Sequence, residues 1–452
     1  MSLTSKLKNI HFLSLMGTGG MSVLTFFFTA ILYRSLNIKE IGIWFFFQTS
    51  LSFLDTFRQG FLTTAFIKFY SGSTKERGKE VIGSTWIIAS IITLVMVVIN
   101  LPLLFFLNYF TDESLNYFFK YFSLNLVCSL PMIIAMCITQ SELRFDRLLY
   151  IKVVQVTLLI FVVLGLIFFK QNNLQNLMMA NVFATATTSL FTIITGWSGI
   201  RMFFSKSKSC IKELFNFGKY TVGTSISSNL FGITDTFIIN FMLGPSAIAV
   251  YNLGRRLMEV VEIPIRSFVA TALPSLSKAY NDNDKSEVIK IMKKYIGIIT
   301  IGLIPALIIA IIFVDFALGI IGGGQYQGTP EGEMAANVFR LSALFALLYP
   351  ADRFMSVTLD AIHMPQINFM KVIVMLVLSI AADFVGIGIF GNVYGIVIAS
   401  IVPTTVAILI SKHYIQKDYL RFSLLNSYNS GFNELKLIWL NFFKKKSKTT
   451  RF

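Results

Sequence analysis

Five charged residues stand in the middle of one long stretch that is apolar toward both ends, residues 246 to 280: Arg255, Arg256, Glu259, Glu262 and Arg266. On a helix turning about 100° per residue, positions 255, 259, 262 and 266 share a sector of about 60°. An ionised side chain near a bilayer centre costs at least about 2.5 to 3.5 kcal/mol, so such a stripe faces a bundle interior or a wet cavity rather than lipid. Arginine offers a planar fork that pairs with carboxylate or phosphate oxygens, and a glutamate among arginines can hold a proton or a cation. The stripe itself sums to zero charge. A static network of Arg255 with Glu259 and Glu262 with Arg266 is the plain alternative, and it leaves Arg256 as an extra cation.

Other polar residues lie within apolar segments. Asp55 and Arg58 are three apart and share a helix face, where they either neutralise each other or line a cavity. Asp352 and Arg353 are adjacent and point to different faces, so at most one of them lines a cavity with Arg340, the stronger cavity candidate. Asp383 is isolated among apolar residues and suits a protonatable group, with a capping role as the alternative. Asp235, Asp315 and Arg34 are expected toward the outer ends of their spans, where snorkelling makes a charge cheap.

The elements that carry these residues follow from composition. Of 452 residues 55% are hydrophobic and only 14% charged, where soluble domains carry about 25%. The net charge of +16 is spread over short runs between apolar segments and the C-terminus, which fits lipid head groups and membrane topology and excludes a nucleic-acid partner. Three cysteines without CxxC spacing argue against a zinc site or a disulfide framework. No cofactor is implied.

Apolar segments near 11 to 33, 41 to 67, 81 to 108, 117 to 140, 148 to 169 and 175 to 199 make six spans. After a basic linker come six more, near 215 to 242, 246 to 276, 292 to 320, 335 to 360, 366 to 390 and 393 to 412. Each is long enough for about 30 Å of hydrocarbon. Lys75, Arg77 and Lys79, then Arg144 and Arg147, then Arg201, Lys206, Lys208 and Lys212 fall on one side. By the positive-inside rule that side is the cytoplasm, and both termini lie there. The expected fold is an all-α integral membrane protein of twelve transmembrane helices: a bundle over 1–200, a linker over 201–214, a second bundle over 215–416 and a basic tail over 417–452. The tail's apolar patch at 435 to 443 is too short to span and reads as interfacial or disordered chain on anionic lipid.

A constant shift of 207 lays residues 29 to 69 on 236 to 276, so that Asp55 meets Glu262 and Gln59 meets Arg266. Such a parallel repeat of six-helix halves places a substrate site between the halves. Prolines 264, 274, 305, 350 and 403 favour kinks in the second half.

The order and spacing of LYRSLNIKEIGIWFFFQTSLSFLDTFRQGFLTTAFIKFYS, FGKYTVGTSISSNLFGITDTFIINFMLGPSAIAVYNLGRRLME and LPSLSKAY carry a family resemblance. Over nearly its whole length the chain resembles the polysaccharide flippases of the multidrug, oligosaccharidyl-lipid and polysaccharide exporter superfamily. The resemblance implies two six-helix bundles arranged as a V, working by alternating access in the cell membrane on undecaprenyl-diphosphate-linked glycans, with polysaccharide-assembly proteins as further partners. Arg256 matches the arginine that lines a cationic cavity in lipid II flippases. Two further helices usual in those flippases are absent, which favours the O-antigen, capsule or teichuronic branch.

Read together, Arg256, Arg255, Arg58, Arg266 and Arg340 are the candidate substrate-binding residues. Glu259, Glu262, Asp383 and Asp55 are candidates for a coupling ion or proton. No nucleophile–base pair and no phosphate-cradling loop can be argued from spacing, so an enzyme is not expected. Two alternatives stay open. An ion-coupled multidrug exporter of the same superfamily would favour cations, yet the first span lacks the acid such exporters often carry. A membrane-embedded glycan polymerase or ligase would lengthen labelled lipid-linked sugar.

Overall fold

The computed structural model describes residues 20–71, 73–424, 426–429, 431, 432 and 436. Among the described residues the regular elements are all helical. They are α1 (Gly20–Ser35), α2 (Ile38–Tyr70), α3 (Lys75–Phe105), α4 (Glu113–Ser141), α5 (Phe145–Phe168), α6 (Leu174–Ile194), α7 (Lys208–Leu243) and α8 (Pro245–Asn281). There follow α9 (Lys285–Ile312), α10 (Val314–Gly322), α11 (Pro330–Phe345), α12 (Tyr349–Ala361), α13 (Pro365–Phe390), α14 (Tyr394–Ala399) and α15 (Ile401–Asp418).

Local chemistry sets the helix starts. Asn37 caps α2 in a capping box: its side chain accepts from Glu40 N at 2.9 Å, and the Glu40 carboxylate accepts from Asn37 N at 3.2 Å. Thr74, Asp112, Asn173 and Asp284 cap α3, α4, α6 and α9 in the same way with a single side-chain bond. Proline at the first turn opens α11 and α13, where the missing N–H costs nothing.

Eight helical segments among the described residues are long and apolar enough to cross a bilayer. Large apolar side chains such as Phe105, Phe168, Ile194 and Ile389 stand more than seven-tenths exposed on them. In water that surface would aggregate; in a bilayer it is the lipid face. The protein is a multi-pass, all-α membrane protein. Helices lie in order over the expected spans, but α2, α7 and α8 are not among the eight segments apolar enough to cross, and three further differences concern detail. The tenth span is interrupted by a 3-10 turn at Ala346–Leu348, and the twelfth breaks at Ser400 between α14 and α15. Pro350 and Pro403 lie just beyond those breaks, whereas Pro264 and Pro274 sit inside a continuous α8. The expected ninth span ends at Ile312, and α10 follows as a separate short helix. The tail patch at 435 to 443 lies, apart from residue 436, outside the described residues, as does the start of the first span.

The chain forms two compact units. The first comprises Met1–Ala249 with Ile321–Gly323, the second Val250–Ile320 with Gly324–Phe452. In the first unit α7 packs along α2. The Gly42 position allows this at one end, since a Cβ there would lie 1.7 Å from Pro245 O. Gly218 allows it at the other, where a Cβ would lie 2.7 Å from the Phe61 ring. Tyr33 Oη donates to Ala249 O at 2.7 Å, and Phe46 meets Phe237 edge-on at 5.2 Å. A core of Phe61, Phe66, Trp86, Ile134, Cys210 and Leu214 joins α2, α3, α4 and α7. The chain between α6 and α7 is held against α3: Trp86 Nε1 donates to Ser198 O at 2.9 Å, and Arg77 bridges Glu80 and Glu213 at the start of α7. In the second unit α12 packs on α9 and α15, and α13 on α14 and α15.

Candidate functional site

The charged stripe of α8 lies in the second unit; of the two pairs that spacing suggested, Glu262 with Arg266 is present, while Glu259 is held by Arg256. Arg256 Nη1 meets Glu259 Oε1 at 2.8 Å, an i,i+3 pair, and Arg266 Nη2 meets Glu262 Oε2 at 2.6 Å. Arg255 instead donates to Tyr251 Oη at 3.3 Å, with its guanidinium 5.7 Å from that ring's centre. The side chains of Arg256 and Glu259 are 25% and 54% exposed, those of Arg266 and Glu262 70% and 28%.

Other candidates of the second unit are placed elsewhere. Arg340 on α11 donates to Asn337 Oδ1 at 2.8 Å and to Asp315 Oδ2, on α10, at 2.7 Å. Asp352 on α12 is buried and accepts from Lys371 Nζ on α13 at 3.0 Å, while Lys371 also donates to Ser356 Oγ. The side chains of Lys371 and Asp352 are only 2% and 13% exposed. Sequence reasoning missed Lys371, which stands in the second turn of its helix and looks like a snorkelling lysine until its burial is seen. Asp383 is buried on α13. Asp352 and Arg340 thus bond to different partners.

In the first unit Arg58 is 1% exposed and every N–H of its guanidinium is engaged. Nε donates to Asp55 Oδ1 at 3.1 Å, and Nη2 donates to the same oxygen and to Ser129 Oγ at 2.6 Å. Nη1 donates to Leu126 O at 2.8 Å and Thr93 Oγ1 at 3.3 Å. Arginine has five donors, and all five are used within α2, α3 and α4. Arg58 thus ties three helices together and fixes Asp55, whose side chain is 30% exposed. Both bonds land on Oδ1; among the described residues nothing is seen to donate to Asp55 Oδ2.

Asp55 borders two adjoining cavities inside this unit, of about 260 Å³ and about 510 Å³. Gln59, Met132 and Gln155 line both, and Gln48, Asn125 and Asn181 line the smaller. The amides form a directed relay. Asn125 Nδ2 donates to Tyr121 O at 3.1 Å, so its Oδ1 accepts from Asn181 Nδ2 at 2.8 Å, and Asn181 Oδ1 accepts from Gln48 Nε2 at 3.4 Å. Composition hides such a site, because uncharged amides barely disturb an apolar run. Of the nine sequence candidates the structure brings Asp55 and Arg58 together, and collects Arg255, Arg256, Glu259, Glu262 and Arg266 on one helix. Arg340 and Asp383 stand on other helices of the second unit.

Comparison with known proteins agrees with this architecture. A curated relative, the probable low-salt glycan biosynthesis flippase Agl15 of Haloferax volcanii, is 22% identical over 237 residues, which are 52% of this chain and 49% of that protein. The matched stretch thus spans about half the length of that relative. The solved inward-closed structure of the lipid II flippase MurJ has a TM-score of 0.72 at 15% identity, covering 96% of this chain and 92% of that one. An inward-facing multidrug resistance transporter of the MATE family, in the MOP superfamily, gives 0.70 at 17% identity, over 88% of this chain and 94% of that one. At these identities both likenesses speak for the fold. The family model described as polysaccharide biosynthesis protein matches residues 31–330, and the chain belongs to the polysaccharide biosynthesis protein family.

Proposed function

We propose that this protein is a flippase that moves oligosaccharide or polysaccharide repeat units, linked through a diphosphate to a long polyprenyl lipid such as undecaprenol, across the cytoplasmic membrane by alternating access. The observation that carries the reading is the arginine set of α8, where Arg255, Arg256 and Arg266 stand on one helix and the Arg266 side chain, the most open of those paired with a carboxylate, is 70% exposed. A diphosphate cannot enter hydrocarbon bare, and guanidinium forks replace its water with bidentate hydrogen bonds. The lipid tail stays in the bilayer throughout. Family membership and the name of the Haloferax volcanii relative support the same substrate class.

Glu259 and Glu262 tune the arginines and exchange with the arriving anion, and together with the buried Asp383 they are the places for a coupling proton or cation. Arg58, fully engaged, positions Asp55 and does not meet the phosphates. Arg340, held by Asp315 and Asn337, belongs to an ion pair of α10 and α11. The basic loops support cytoplasmic termini and a role on glycans assembled on the inner leaflet. Transport, with no covalent step on the glycan, is the chemistry of this reading.

The fold likeness to a multidrug resistance transporter favours a second reading, export of organic cations. Binding to the protein in nanodiscs separates the two. Inorganic pyrophosphate is expected to bind, and Arg256→Ala to weaken it by about tenfold or more, the worth of a charge-assisted pair. Saturable binding of tetraphenylphosphonium without any binding of pyrophosphate would favour the cation exporter and overturn the flippase reading.

A further inference from the structure

We propose that the amide-lined cavity inside the first unit is a subsite for the hydroxyl groups of an uncharged sugar, read by Asp55, Gln59, Gln155 and Gln48. The proposal rests on the glycan reading above for its biology, but its evidence is separate from the arginines of α8.

Charge decides first among ligand classes. The one carboxylate in the smaller cavity, Asp55, is already matched by the Arg58 guanidinium. A cation entering would find no net negative charge, and the smaller cavity, about 260 Å³, far exceeds what a bare ion with oxygen ligands at about 2.3 to 2.6 Å would fill. A phosphate or carboxylate is equally unsuited, because Arg58 has no N–H left to offer. What remains is a neutral ligand that both donates and accepts.

The polar edges suit hydroxyl groups. The amide relay ends on the Tyr121 carbonyl, and this fixes its direction: Asn125 and Asn181 spend their N–H groups inside the relay, and Gln48 donates through Nε2, leaving its Oε1 as an acceptor. Asp55 Oδ2 is a second acceptor. Gln59 and Gln155 border both cavities, and among the described residues no bond to either amide is seen. Each therefore brings an unspent N–H pair and an unspent oxygen. A vicinal diol can give its protons to Asp55 Oδ2 and Gln48 Oε1 while accepting from Gln59 and Gln155. Met132 supplies an apolar contact for the ring, and the larger cavity, about 510 Å³, leaves room for a further sugar unit, with Lys152 on its wall.

The test uses the full chain in nanodiscs and saturation-transfer NMR with free glucose, galactose, mannose, rhamnose, N-acetylglucosamine and N-acetylgalactosamine as probes. At least one sugar is expected to show saturation transfer, reduced about three- to tenfold by Gln59→Leu and by Gln155→Leu, the worth of one or two hydrogen bonds. Pyrophosphate binding, measured on the same samples, should not change in either variant, which also shows that both fold. No transfer to any of the six sugars while pyrophosphate still binds would overturn this inference and leave the flippase reading standing. Loss of pyrophosphate binding in the wild-type protein would instead strike that reading. Sodium-dependent stabilisation that vanishes in Gln59→Leu, without a sugar signal, would mean a cation site and would likewise overturn the proposal.

Discussion

Arg58 and Arg256 carry the same side chain in similarly apolar surroundings, yet they are in opposite electrostatic positions. Arg58 spends its five donors on a carboxylate, a backbone carbonyl and two hydroxyls and is 1% exposed, while Arg256, paired with Glu259, is 25% exposed. Removing Arg58 leaves Asp55 without its counter-charge and the acceptors on α3 and α4 without their donor. Arg58→Ala is therefore expected to cost about 3 to 5 kcal/mol of stability, read as a lowered midpoint of thermal unfolding in detergent. Arg256→Ala should shift that midpoint by less than about 1 kcal/mol equivalent. The Lys371–Asp352 pair gives a second contrast: Lys371→Met alone leaves a buried carboxylate uncompensated, and the double variant with Asp352→Asn should recover most of the loss in a mutant cycle. Independent, additive losses would mean that the two groups do not depend on each other. Little of this could be read from the chain alone. The spacing of Asp55 and Arg58 showed a shared face, but the acceptors on α3 and α4 that saturate Arg58 come from residues 35 to 71 positions away. Lys371 was hidden for the same reason.

Helices were the most legible level, because long apolar runs and their polar caps are local. Asn37, Thr74, Asp112 and Asn173 mark starts within a few residues of the expected spans. The breaks at Ala346–Leu348 and Ser400 were foreshadowed by Pro350 and Pro403, though not placed. The close approach of α2 to the α7–α8 junction was not legible, since a glycine in an apolar run looks like any small residue. It has a measurable consequence. Gly42→Ala would force a Cβ to 1.7 Å from Pro245 O, whereas a Cβ at Gly165 meets nothing within 4 Å. Gly42→Ala should destabilise by about 1 to 3 kcal/mol. Gly165→Ala should be neutral, or stabilising by up to about 1 kcal/mol through helix propensity. Equal effects on thermal unfolding would refute the packing described for the first unit. At this scale too, the shift of 207 that pairs Asp55 with Glu262 sets Gln59 opposite Arg266.

For the molecule as a whole, composition and the order of charged loops were enough to read a multi-pass membrane protein, and the residue patterns on the second and eighth spans were enough to suggest its family. What it carries depends on which charges are held and which are available, and that required coordinates. The account rests on the availability of the α8 arginines to a diphosphate. The most direct measurement is export of lipid-linked glycan to the outer leaflet by cells whose only copy of the protein is Arg255→Ala/Arg256→Ala, with membrane insertion checked on the same cells. The predicted result is export reduced at least about tenfold, with the glycan lipid accumulating on the inner leaflet and the variant present in the membrane at wild-type levels. Undiminished export by that variant would contradict the account.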